Sequence, residues 1–408
     1  MHGRVRSFYD DQEKNGMHTQ YDSRTLLVIG ASQHDAAAYH LSGFLAPDPV
    51  VALRVKYASG VKTYLAISSM EYGRAKREAR ADEVLSFDEL GVTQLARELK
   101  SGGRALAAAT ANLLEELGAA GAPVAVPPSL DLVYADELRA RGLEVVPDFH
   151  LFAGLRRLKT EEEISYIEKT QRAVEAACAH AVGILEGSEV SGDGTLMYDE
   201  EILTSERLRF EIDSELLRRG CAADGTITAG GSQAADPHER GSGPLKSGEP
   251  IILDIFPVDK TTRYYADMTR TFVKGEPGEE LQRMYDAVLQ SQEAALAMIR
   301  PGINGREIHK KVSDVLHEAG YETLVHDQKP GGPLQRGFIH GTGHGVGLEI
   351  HESPRVSVAD EELIPGDVIT IEPGLYYPEI GGVRIEDLVV VTESGYRNLT
   401  EFPKKFRV

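Results

Sequence analysis

Between His340 and Glu352 the chain reads HGTGHGVGLEIHE, with His340, His344 and His351 interleaved among Gly341, Gly343, Gly345 and Gly347. Imidazoles four residues apart share one face of a helix, as in a zinc-protease HExxH pair. Each interior glycine, however, costs a helix about 1 kcal/mol relative to alanine, and four in seven residues argue against one. Leu348 stands where the third glycine of a GxGxxG phosphate turn is needed. The spacing predicts a tight glycine-rich loop, where backbone approaches a ligand closely and imidazoles point inward. Taken alone, the same letters also describe surface histidines in a flexible turn.

Four carboxylates weigh against that alternative. Asp254 follows IIL, Asp267 follows YYA, Glu372 follows VITI and Glu386 follows GVRI, each in an apolar, strand-forming run. One ionised acid in such a strand can pair with a cation and be structural. Four sharing an interior cannot persist as bare charges, because each unpaired buried ion costs on the order of several kcal/mol. Two divalent cations would cancel four negative charges, and a neutral imidazole from the glycine run would complete the set. Oxygen donors with one imidazole suit Mn(II) first, then Co(II), Fe(II) or Zn(II). Two metals about 3.5–4 Å apart can share a hydroxide, lowering the pKa of water from 15.7 towards ~7, and can polarise a carbonyl. The competing reading is four salt-bridged acids in a sheet.

The elements that must position these groups are legible in outline. Strand-forming runs at 25–30, 50–57 and 62–69 precede helical patterns at 70–80, 92–99 and 111–117. A strand at 123–126, a helix at 135–141 and a strand at 143–146 follow, so the first half is an α/β domain. Its His34, His40 and His150 are isolated, and this half holds no nucleophile elbow, phosphate loop or metal cluster. From 156 onward the character changes. Thr160 and Glu163 form a capping box ahead of a helix running to Gly187. Further helices are expected over 200–219, 279–299 and 304–319, the last with Asn304/Glu307 as its box and Gly320 past its end. Runs 251–258 and 265–273 read as one hairpin, and 367–377 with 382–392 as another. Two helices and a hairpin, repeated, predict an α+β domain with an internal pseudo-twofold duplication. The expected division is a polar lead-in over 1–24, an α/β domain over 25–155 and the α+β domain over 156–408.

Composition narrows the functional classes. At 408 residues two domains are the natural expectation. A net charge of −20 argues against a nucleic-acid surface and leaves no basic stripe for anionic membranes. Cys178 and Cys221 form no CxxC pair, which fits buried thiols in a reducing compartment. No apolar run approaches the length of a membrane span, and the opening residues lack the apolar centre of a signal peptide. A cytoplasmic protein is expected.

In order, DIF…ADMTRTF, HGTGHGVGLEIHE, ITIEPGLYY and GVRIEDLVVV resemble the pita-bread metallopeptidases, the creatinase/methionine aminopeptidase superfamily. Within it they look like aminopeptidase P (Xaa-Pro aminopeptidase) and prolidase. The resemblance is strong over 238–392, and the first half is similar to the amino-terminal domain of creatinase and prolidase. It implies a pita-bread catalytic domain in which Asp254 binds one metal, Asp267 and Glu386 bridge two, and His344 with Glu372 completes the second site. It also implies Glu372 as general base, His340, His351 and His238 on the substrate, Arg384 near a proline pocket, and Tyr376 and Ile350 in the pocket wall. The separation of Asp254 and Asp267 exceeds that in many members by an even number of residues. Strands alternate faces with period two, so both acids can still point inward.

The function so implied is hydrolysis of the Xaa-Pro bond at a peptide's amino terminus, by a two-metal bridging-hydroxide mechanism in a homodimer, with proline at the substrate's second position. Two alternatives stand beside it. One is a pita-bread hydrolase or lyase for a small non-peptide substrate, as in creatinase or sulfonium-cleaving relatives. The other is a non-catalytic binding protein on the same scaffold.

Overall fold

The computed structural model describes residues 24–223, 225–329 and 332–408. The lead-in expected over 1–24 therefore lies, apart from Arg24, outside the described residues. The chain divides between Leu155 and Arg156 into two compact units.

The first unit is built on a six-stranded mixed sheet. Its strands lie in the order Glu83–Ser86, Gly60–Ile67, Pro49–Tyr57, Thr25–Ala31, Val124–Val126 and Val145–Pro147. Along Thr25–Ala31, Leu26 and Val28 enter one core while Leu27 and Ile29 enter the other. A strand buried on both faces needs this unbroken apolar run. Helices Gly102–Glu116 and Leu132–Ala140 contribute to one core, and Ala36–Ser42 and Phe149–Arg157 to the other. The helix expected from 111 begins at Gly102. Ser101 caps it by accepting from the Arg104 amide, and the alanines behind it are buried.

In the second unit Thr160 and Glu163 form both limbs of the capping box, and Glu161–Gly187 follows. The helix expected from 200 starts instead at Ser205 and ends at Arg218. Asp199 and Glu200 take left-handed φ of 51° and 64°, and Thr204 makes the cap by accepting from the Arg207 amide. The second helix pair is Glu279–Leu296 and Gly305–Glu318, the latter boxed by Asn304 and Glu307.

Each helix pair leads into antiparallel strands of the same order. In the first half these are Ile227–Gly230, Ile251–Ile255 and Met268–Phe272. In the second they are Gly343–Gly345, Val368–Ile371 and Asp387–Thr392, extended at the edges by Glu352–Val356 and Gly395–Asn398. The duplication thus holds in strand order as well as element order. The middle of the glycine run, Gly343–Gly345, forms a short strand, and the residues on either side of it are irregular loop. A Cβ on Gly343 would lie 1.9 Å from the Thr370 carbonyl oxygen, so only glycine fits there.

The hairpin arms expected over 367–377 and 382–392 are each interrupted at an acid. Gly374–Tyr377 and Gly381–Arg384 make a separate two-stranded ladder, leaving Glu372 and Glu386 at the joints. Pro373 has no N–H for a ladder. The Glu372 amide donates to Thr342 O at 2.7 Å, and the Glu386 amide to Thr269 O at 3.0 Å. The extra length between the aspartates is used by Val258–Asp259, which pairs with Cys221–Ala222.

Candidate metal centre

Register places the first two acids on one face. Asp254 pairs with Thr269 across the ladder, and Asp267 lies two residues before Thr269. The Thr269 hydroxyl donates to Glu386 Oε2 at 2.8 Å, joining the two halves. From the glycine strand, His344 Nε2 lies 3.7 Å from Asp267 Oδ2 and 3.6 Å from Glu372 Oε1. Asp267, His344 and Glu386 are all buried and offer ligand atoms within 4.8 Å of one another.

The tautomer of His344 follows from its neighbours. Nδ1 lies 3.1 Å from Gly345 O, a carbonyl that can only accept, so Nδ1 carries the proton and the Nε2 lone pair faces the carboxylates. Burial, helped by His351, lowers the His344 pKa to about 3 and keeps it neutral.

The acids do not have the cations that a salt-bridged sheet requires. Among the described residues Asp254 alone has one: Arg384 Nη2 donates to Asp254 Oδ2 at 2.7 Å. Among the described residues, no lysine or arginine forms an ion pair with Asp267, Glu372 or Glu386, and Asp267 Oδ1 is buried without a hydrogen-bond partner. Burial first, then Glu386, Asp254 and Glu372, hold Asp267 well above the usual carboxylate range. Burial and Glu386 raise Glu372, while burial and Asp254 push Glu386 up to about 7. Crowded oxygen donors, an orphaned carboxylate oxygen and an imidazole lone pair fit divalent cations.

A polar chain lies beside this cluster. Arg384 Nη1 donates to the Tyr376 hydroxyl at 2.8 Å, and that hydroxyl donates to His340 Nε2 at 2.8 Å. His340 Nδ1 donates to Gly341 O at 2.7 Å, so both ring nitrogens are engaged. Burial, reinforced by Arg384, lowers its pKa to about 3. His351 is exposed and sits edge-on to His344 with ring centroids 4.4 Å apart. Burial of part of its ring, then Arg355, lowers its pKa. His238 is exposed on a loop and neighbours both His340 and His351. Ile350 is half-buried, and its backbone carbonyl is what faces His344.

Several supporting residues escaped the sequence reading. Arg270, 1% exposed, donates to the carbonyls of Thr269 and Glu386 and to Asp387 Oδ1 at 2.8 Å. Both Arg270 and Asp387 lie inside the quoted motifs (ADMTRTF, RIEDL), which was the available signal. His309 is buried with its Nδ1 3.0 Å from the Thr342 hydroxyl. Its place among Ile308, Val312 and Leu316 on the apolar face of Gly305–Glu318 could have marked it.

A duplicated α+β unit whose two halves each contribute carboxylates to one cluster, with a single buried imidazole, defines a scaffold suited to binding divalent metal. Residues 165–393, more than half the chain, match metallopeptidase family M24, and the chain belongs to that family. It is 36% identical over 254 residues to an Xaa-Pro dipeptidase of Pyrococcus furiosus, a match spanning 60% of this chain and 64% of that relative's length. The fold superimposes on the prolidase of Pyrococcus horikoshii with a TM-score of 0.73 at 26% identity, covering 98% of this chain and 97% of that one. An Xaa-Pro dipeptidase from Bacillus anthracis gives a TM-score of 0.75 at 25% identity, covering 94% and 95%. The pita-bread architecture with an amino-terminal domain is therefore established. No helix among the described residues is long and apolar enough to cross a membrane.

Proposed function

We propose that the protein is a metal-dependent exopeptidase that hydrolyses the Xaa-Pro bond at the amino terminus of peptides. The observation that carries this reading is the cluster of Asp267, Glu372 and Glu386, three carboxyl groups with no lysine or arginine ion pair among the described residues, facing Nε2 of His344. Asp254, Asp267, His344, Glu372 and Glu386 would hold two divalent ions, Mn(II) by donor chemistry. Ions bound there supply Lewis acidity for a peptide carbonyl and bring the pKa of water towards neutrality.

Glu372 accepts the proton of the attacking water as oxygen adds to the carbonyl carbon. The proton passes to the prolyl nitrogen as the C–N bond breaks. His351, exposed and held neutral, is the imidazole available to donate to the peptide backbone, with His238 beside it. His340 is braced by Tyr376 and Arg384, and this fixed chain forms the wall of the proline pocket with Ile350. The named Xaa-Pro dipeptidase and prolidase relatives support the choice of bond. The two buried free cysteines support a reducing, cytoplasmic setting, and we propose a homodimer as the working unit.

The test is Glu372→Gln with Ala-Pro and Ala-Pro-Ala as substrates, Mn(II) or Zn(II) being supplied. Turnover should vanish while circular dichroism is unchanged. Undiminished hydrolysis by this variant rejects the assignment.

A further inference from the structure

The two acids at the strand joints, Glu372 and Glu386, come from arms that are interrupted where a continuous ladder would have fixed them. Something else must set their separation. The peptide unit preceding each acid has a carbonyl, Ile371 O or Ile385 O, and an amide N–H. The amides are taken by Thr342 O and Thr269 O. Both carbonyls accept from a single atom: Gln292 Nε2 lies 3.1 Å from Ile371 O and 3.1 Å from Ile385 O.

Gln292 is fully buried in the helix Glu279–Leu296. Its two amide hydrogens serve the two carbonyls, and its own Oε1 is left buried without a partner. The reverse orientation would set oxygen against two carbonyl oxygens, so the amide direction is determined. The side chain thus leaves its own acceptor unsatisfied while it satisfies two carbonyls from separate arms. With Gln292 in place, each peptide unit is gripped at both its oxygen and its nitrogen, and the Cα of the acid that follows is fixed. Among the described residues, no other side chain bonds both units.

We infer that Gln292 is a positioning residue for the metal centre, setting the distance between Glu372 and Glu386 through the two hydrogens of one amide. The inference rests on the two-ion reading above. Because the grip is on backbone, it holds the acids at fixed spacing before any cation arrives, the preorganisation that tight binding of a second ion requires.

The test uses the full chain with Gln292→Met, which keeps the volume and removes the donor. Mn(II) binding is measured by calorimetry and by electron paramagnetic resonance, with melting followed by circular dichroism. The wild-type protein should bind two ions with an exchange-coupled spectrum. The variant should fold, keep one ion, bind the second at least tenfold more weakly and show an isolated-ion spectrum. If that variant does not fold, Gln292→Asn takes its place, its amide one methylene too short to span both carbonyls, with the same expected result. A folded variant with wild-type affinity for both ions and an unchanged spectrum overturns the inference alone, whatever its melting temperature. Failure of both variants to fold also overturns it, since the glutamine is then a fold requirement. A wild-type protein that binds fewer than two ions overturns the two-ion reading and this inference together.

Discussion

Stripping divalent cations from the protein should turn its stability against alkaline pH. A carboxyl whose folded-state pKa is raised binds more protons folded than unfolded, so it stabilises at low pH and loses that contribution as pH rises through the folded value. Asp267, Glu372 and Glu386 all behave so, Glu386 at about 7. The buried histidines act in the opposite sense. His309, lowered by burial to about 4, and His340 and His344, lowered to about 3, resist protonation when folded, as does His351. They favour the unfolded chain below the ordinary imidazole pKa of 6.5 and fall silent above it. Metal-free stability should therefore peak near pH 6.5 and decline beyond. One excess proton held by the acid cluster gives about 1.4 kcal/mol per pH unit over the range in which it is held. Against a total of about 5–15 kcal/mol this is readily seen. The assay is urea unfolding of chelator-treated protein across that range, repeated with saturating Mn(II). With metal the decline should disappear, and stability should rise by about 2.7 kcal/mol at a hundredfold excess over Kd. Metal-free stability that is flat or climbs above pH 6.5 would refute the claim that these acids share an uncompensated interior.

Other perturbations test the supporting structure. Gly343→Ala drives a Cβ to within 1.9 Å of Thr370 O and should cost about 1–3 kcal/mol or more in denaturant unfolding; an unchanged midpoint would show that the strand can shift freely. Tyr376→Phe leaves Arg384 Nη1 and His340 Nε2 each short of a partner, a cost of about 1–3 kcal/mol. Its kcat/KM on Ala-Pro should fall about tenfold or more, and a wild-type value would remove the bracing role. Arg270→Met removes one member of a buried ion pair and orphans the carbonyls it holds, for a loss of about 3–5 kcal/mol measured by urea. A loss under about 1 kcal/mol would mean that Lys404, which also pairs with Asp387, suffices.

What the sequence determined by itself is what short-range chemistry can specify. The capping boxes at Thr160/Glu163 and Asn304/Glu307 mark helix starts because donor and acceptor lie three residues apart. Leu26 to Ile29 announce a doubly buried strand because side chains alternate with period two. The acids at 254, 267, 372 and 386 pointed to cations because apolar neighbours predict burial, and burial makes bare charge untenable. Tertiary structure decided where those patterns stop. Position 343 must be glycine because Thr370 leaves no room for a Cβ, a fact about another segment. The arms at 372 and 386 break because their amides find better partners in Thr342 and Thr269. Gln292 and Arg270 read as an ordinary helical polar residue and an ordinary strand cation. Only the packed molecule, by bringing distant carbonyls to within hydrogen-bond reach of them, reveals what they hold.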